Sequence, residues 1–110
     1  MKYQYVVIIN GEETPFIMQN EWGNNTIRTD ILEQMLCKIV KFKIKFWHGS
    51  RLTGKGTFVY GAGGNKDHII IIVDDREMNR KVDIRFTFND IIWNMECFEL
   101  EVLDDTDQKD

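Results

Sequence analysis

Between Ile39 and Phe46 apolar and cationic residues alternate one for one, with Val40, Phe42, Ile44 and Phe46 set against Lys41, Lys43 and Lys45. A period of two sends successive side chains to opposite faces of an extended strand, so this segment can be buried on one side only. The chain is therefore predicted to fold on a sheet with an apolar face and, at this strand, a cationic one.

The other apolar runs are equally short. Tyr3 to Ile9 and Thr14 to Gln19 flank Asn10-Gly11, two residues that tolerate positive φ, and so predict an opening hairpin. Pro15 cannot donate a ladder hydrogen bond, so the second strand is expected either at an edge or beginning at that residue. The polar stretch from Asn20 to Asn25 reads as a loop. Ile27, Ile31, Met35 and Ile39 recur every four residues, joined by Leu32 and Leu36, and predict one amphipathic helix over residues 26–39 capped by Asn25 or Thr26. Thr57 to Tyr60, Ile69 to Val73, Val82 to Phe88 and Phe98 to Leu103 then read as a meander of strands. The expected architecture is α+β: one helix packed on a curved antiparallel sheet of about six or seven strands, its second half closed as a small β-barrel. Residues 1–103 form one domain in this reading, and 104–110 an acidic disordered tail.

At 110 residues, 43% hydrophobic and 29% charged, the composition is that of an ordinary globular domain. The N-terminus lacks a small-residue cleavage site and no apolar run reaches the roughly 20 residues of a membrane span, so neither a signal peptide nor a membrane helix is expected. Cys37 and Cys97 sit among apolar neighbours and read as buried, reduced thiols in a cytoplasmic protein.

A strand ending in Trp47-His48-Gly49, a strand led by Gly54-Lys55-Gly56-Thr57, an apolar strand into Asp74-Asp75, and then Phe86-Thr87-Phe88-Asn89-Asp90-Ile91-Ile92 follow one another between residues 40 and 96. That order resembles the small β-barrel of YolD-like proteins and, more distantly, Sm and SH3-type barrels. The resemblance implies a bacterial or phage-borne accessory or regulatory protein that binds rather than catalyses. The N-terminal hairpin and the last strand lie outside it.

Gly49-Ser50-Arg51-Leu52-Thr53-Gly54-Lys55-Gly56 is close to a phosphate-binding loop, and Asp74-Asp75 to its magnesium-binding partner. The loop needs a Ser or Thr after the Lys and then a helix N-terminus, whereas Gly56 and the strand-like Thr57-Phe58-Val59-Tyr60 follow here. A hairpin turn with glycine supplying positive φ is the preferred reading, and a nucleotide-binding enzyme the remote one. Gly61-Ala62-Gly63-Gly64-Asn65-Lys66 reads as a hairpin tip. His48 and His68 have no ligand-like neighbours at metal-binding spacing, and no catalytic triad stands out, so no cofactor, metal or catalytic residue is expected.

The distribution of charge carries more. Lys38, Lys41, Lys43, Lys45, Arg51 and Lys55 occur with no intervening acid, while Asp90 to Asp110 holds eight acids (Asp90, Glu96, Glu99, Glu101, Asp104, Asp105, Asp107 and Asp110) against Lys109 alone. One reading places Lys41, Lys43, Lys45, Arg51 and Lys55 with Trp47 on a face that follows the phosphates and stacks the bases of a single-stranded nucleic acid. The other pairs the lysine strand with Glu99 and Glu101 on a neighbouring strand. The net charge of −4 favours the second. The leading functional expectation is then a non-enzymatic, regulatory protein-binding module of phage-like character, with Trp47, Glu99, Glu101, Asp104 and Asp105 as contact residues. A second copy of the chain, covering exposed strand edges, is a further candidate partner. Of Trp22, Trp47 and Trp93, one or two are expected in the core.

Overall fold

The computed structural model describes residues 4–61, 66–75 and 77–103. Its elements are β1 (Tyr5–Ile9), β2 (Glu12–Pro15), β3 (Ile17–Gln19), β4 (Asn25–Ile27), α1 (Thr29–Gln34), β5 (Ile39–Phe46), β6 (Arg51–Tyr60), β7 (His68–Asp75), β8 (Arg80–Thr87), α2 (Phe88–Asn94) and β9 (Met95–Val102). Seven strands form one sheet in the order β2-β1-β9-β5-β6-β7-β8, and β3 and β4 form a separate pair.

The sheet is not closed into a barrel: β2 and β8 lie at its two edges. Nor is it wholly antiparallel, because β1 runs parallel to β9, with Tyr5 opposite Phe98 and Val7 opposite Leu100. A parallel neighbour cannot be joined by a tight turn, and here nearly the whole chain intervenes between the two strands. The last strand therefore enters the middle of the sheet, between the first strand and β5.

The opening hairpin turns at Asn10 and Gly11, at φ 54° and 82°. It is shorter than the apolar run predicts. β2 stops at Pro15, and the chain then leaves the sheet to form β3, which pairs with β4 through Ile17 opposite Ile27. The expected helix from residue 26 is correspondingly reduced to α1. Ile27 at one end of the four-residue spacing belongs to β4 and packs against the core, whereas Ile39 at the other opens β5 on the face opposite the buried Val40, Phe42 and Ile44. Cys37 adopts φ 64° and its N–H donates to the Phe58 carbonyl at 2.8 Å, which turns the chain into β5.

A second helix occupies the position where the alternation of Phe86 and Phe88 predicts continuing strand. The Thr87 hydroxyl accepts the Asp90 N–H at 3.0 Å and caps α2. Phe88 and Ile91 turn into the core. α2 thus carries the chain from the edge strand β8 across the apolar face to β9 in the sheet's centre. That face is filled by Phe42, Phe58, Ile69, Ile71, Phe98 and Leu100, and Ile31 and Leu32 of α1, with Met35 at its C-cap, pack onto it. Phe98 meets Phe16 and Phe86 edge-on, at ring separations of 5.9 and 5.3 Å.

The glycines of the loop-like motif have a packing role. Gly54 and Gly56 lie within β6, opposite Phe42 and Val40. A Cβ at Gly54 would fall 2.5 Å from the Phe42 ring, and one at Gly56 would fall 2.5 Å from the Ile72 carbonyl oxygen. The missing side chains let the Phe42 ring lie over the backbone of β6 and let β7 approach closely. Gly49 alone, in the β5–β6 turn, supplies positive φ at 103°.

Gly54→Ala is expected to lower stability by about 1–3 kcal/mol through overpacking against Phe42. Thr87→Ala should cost about 1 kcal/mol through loss of the cap. Urea denaturation of both variants against an exposed Thr53→Ala control, expected within about 0.5 kcal/mol of the parent, checks both values.

Candidate binding surface

The solvent face of the central strands is built by their register. Lys41, Lys43 and Lys45 of β5 stand opposite Glu101, Glu99 and Cys97 of β9 on one side, and opposite Lys55, Thr53 and Arg51 of β6 on the other. The two acids flanking the lysine row thus lie on the neighbouring strand. Between β5 and β6, however, like charges are juxtaposed: Lys41 faces Lys55, and Lys45 faces Arg51. Such pairs are unfavourable across an antiparallel ladder unless water or a ligand screens them.

A register shift between Lys45 and Phe46 gives β9 an extra residue, Glu96. The bulge brings the Glu96 carboxylate to 3.4 Å from the Lys45 ammonium, while Cys97 holds the position directly opposite. Among the described residues, Lys41, Lys43, Arg51 and Lys55 have no carboxylate oxygen within 4.0 Å. Lys43, Lys45, Arg51, Thr53, Cys97 and Glu99 line a shallow open depression on this face.

At the end of the same strands lies an aromatic surface. The Phe46 N–H donates to Ser50 and the Gly49 N–H to Phe46, closing the β5–β6 turn. The Trp47 N–H instead donates to the Asn94 carbonyl at 3.1 Å, fastening the turn to the C-terminus of α2. Trp47 is thereby bonded to the residue that follows Trp93, and the two tryptophans are 55% and 78% exposed. His48, which follows Trp47 in the turn, stacks on Phe46, with ring centroids 5.6 Å apart and planes 8° from parallel.

The junction behind this surface is fixed by Tyr5, whose buried hydroxyl donates to the Met95 carbonyl at 3.0 Å. Burial pushes the Tyr5 pKa above its ordinary value, and the nearby Cys97 thiol, when ionised, pushes it further in the same direction. The phenol therefore remains protonated and donating at neutral pH. Its contribution to stability is complete below the ordinary tyrosine pKa of about 10 and is lost as pH rises through the elevated folded value.

Several expectations need correction. All three tryptophans are exposed, including Trp22 at 79%, so none belongs to the core. Trp22 sits in the β3–β4 turn, where the Asn20 side chain accepts the Trp22 and Asn24 N–H groups, each at 2.9 Å. Cys37 is exposed and Cys97 half-buried, and both are free thiols, because residue 37 lies on the turn out of α1 and residue 97 points to the sheet's outer face. Lys55-Gly56 is mid-strand with no helix after it, so the residues that mimic a phosphate-binding loop form no cradle. Residues 62–65 of the glycine-rich tip, and Asp104 and Asp105 with the rest of the C-terminal tail, lie outside the described residues.

Sequence reasoning missed the proximity of Trp93 to Trp47. Thr87-Phe88-Asn89-Asp90 carries the cap that could have revealed α2, but no local pattern links residue 94 to residue 47. Compared with known proteins, the chain matches no family model, no curated protein and no solved structure. Among the described residues there is no group of three or more His, Cys, Asp or Glu side chains arranged to hold a metal ion, and no helix is long and apolar enough to cross a membrane.

With all three indoles at the surface, intrinsic tryptophan fluorescence should emit at the water-exposed end of its range and be quenched by acrylamide in the native state almost as efficiently as in urea. A large red shift on unfolding would instead place a tryptophan in the core.

Proposed function

We propose that the chain is a non-catalytic binding module of regulatory or accessory type, acting in the cytoplasm by docking a protein partner on the Trp47–Trp93 end of the sheet. The observation that carries this reading is the backbone bond from Trp47 to Asn94, the residue after Trp93, which sets two solvent-exposed tryptophans from opposite halves of the sequence on neighbouring segments of chain. Exposed tryptophan is uncommon on a surface that makes no contacts and is enriched among residues that dominate binding energy. Lys45 and Arg51 flank the β5–β6 turn that carries Trp47, and Glu99 and Glu101 lie further along the face of Lys45, so the fitting partner offers an apolar pocket with carboxylates at its near rim. The accessory role implied by the YolD-like resemblance agrees with this reading.

A second reading rests on the like-charge pairs Lys41–Lys55 and Lys45–Arg51. Phosphates of a single strand would relieve that repulsion while Trp47 stacks a base. The acids beside the lysine row and the net charge of −4 weigh against it.

One experiment separates the two: retention of ligands from native cells by the tagged protein, with and without nuclease and at low and high salt. The protein-docking reading predicts a discrete protein retained after nuclease. Trp47→Ala and Trp93→Ala should each weaken its binding by at least about 2 kcal/mol, roughly 30-fold, with Trp22→Ala near neutral. Capture of nucleic acid that falls steeply with salt and is lost in Lys43→Glu would establish the second reading instead.

A further inference from the structure

The two edges of the sheet are unlike. β2 is short, acidic at Glu12 and Glu13, and ends in Pro15, the features that stop a strand from recruiting another. β8 runs from Arg80 to Thr87 without proline or bulge, and among the described residues its only strand partner is β7. Alternate N–H and C=O groups along it therefore point away from the sheet, unpaired by any strand.

The side chains of β8 are complementary to their own sequence. Lys81, Asp83 and Arg85 are exposed on the outer face, while Val82 and Ile84 are half-buried and Phe86 buried on the inner one. Antiparallel partners share a face, so a two-fold axis between two copies must pass through a residue. An axis at Asp83 would oppose two aspartates and set Lys81 against Arg85. An axis at Ile84 sets Asp83 against Arg85 twice, Ile84 against Ile84, and Val82 against Phe86, and keeps the whole span from Lys81 to Thr87 in register. An axis at Val82 also matches charges, Lys81 with Asp83, but pairs only Arg80 to Ile84 within the strand. Val73, Val82 and Ile84, together with Asp74, Asp75 and Glu77, line an open shelf beside this edge, whose apolar part a second copy would help to cover.

We propose that the protein dimerises by antiparallel pairing of β8 with β8 of a second copy, with Ile84 on the two-fold axis, joining the two sheets into one continuous sheet. The Trp47–Trp93 surfaces lie away from this edge, so the dimer presents two of them, and the proposal stands or falls independently of what they bind.

Light scattering coupled to size exclusion tests it. The expected mass is twice the 13.0 kDa of one chain. Asp83→Arg and Arg85→Asp each place like charges together on both sides of the two-fold axis and should raise the dimer dissociation constant at least about tenfold. The double variant Asp83→Arg/Arg85→Asp restores opposite charges and should restore the dimer. Both side chains are exposed, and circular dichroism confirms that each variant is folded. A parent protein that remains monomeric at its highest soluble concentration overturns the proposal. So does a dimer indifferent to the single reversals, or one that the double swap fails to rescue.

Discussion

The insertion of β9 between β1 and β5 is the constraint on which the rest of the molecule depends. Phe98 and Leu100 of this last strand are fully buried at the centre of the apolar face, against residues contributed by the first strand and by the central hairpin. Without β9, β1 would have only β2 beside it, and an isolated two-stranded hairpin is at best marginally stable in water. Because the strands that meet at β9 are distant in sequence, the sheet cannot be completed from local pairings, and its closure entropy is recovered only when the final strand docks.

The same insertion assembles the surface features. α2 must cross the apolar face to deliver the chain from β8 to β9, and its last turn arrives beside the β5–β6 turn, where Asn94 receives the Trp47 N–H. The bulge at Glu96 follows at once and redirects its carboxylate to Lys45. Beyond it, Glu99 and Glu101 are aligned against the lysine row. The acids therefore temper the positive potential on one flank, while on the other flank β6 adds Arg51 and Lys55 to it. The resulting face is graded in charge, which suits orientation of a partner more than indiscriminate attraction of polyanions.

The alternation of Val40 to Phe46 is visible in the sequence as a strand because each residue's environment is set by its own face of the sheet. The Asn10-Gly11 turn and the edge position of Pro15 are legible for a similarly local reason. The extent of the helix is not. Ile27 packs on the same core as Ile31 and Met35 but from a strand, while Ile39 lies on the opposite face of β5, and an apolar period cannot distinguish residues of one helix from strand residues that happen to fall at the same spacing. α2 was obscured in the opposite way, by Phe86 and Phe88 continuing a strand-like alternation into a capped helix. Gly54 and Gly56 resemble a phosphate loop in sequence, yet their need for absent side chains arises from Phe42 and Ile72, which only tertiary packing places there. The parallel pairing of β1 with β9, and the bond that brings Trp47 to Asn94, are long-range and leave no local trace.

The most direct measurement of the account is site-specific photo-crosslinking in native cells, with a photoreactive amino acid placed in turn at positions 47, 93 and 22. Trp93 and Trp22 are exposed to almost the same degree, 78% and 79%, so a difference between them reports location and not accessibility. Positions 47 and 93 are expected to crosslink to the same protein, and position 22 is expected not to. Equal capture from all three positions, or crosslinks from 47 and 93 to nucleic acid alone, would contradict it.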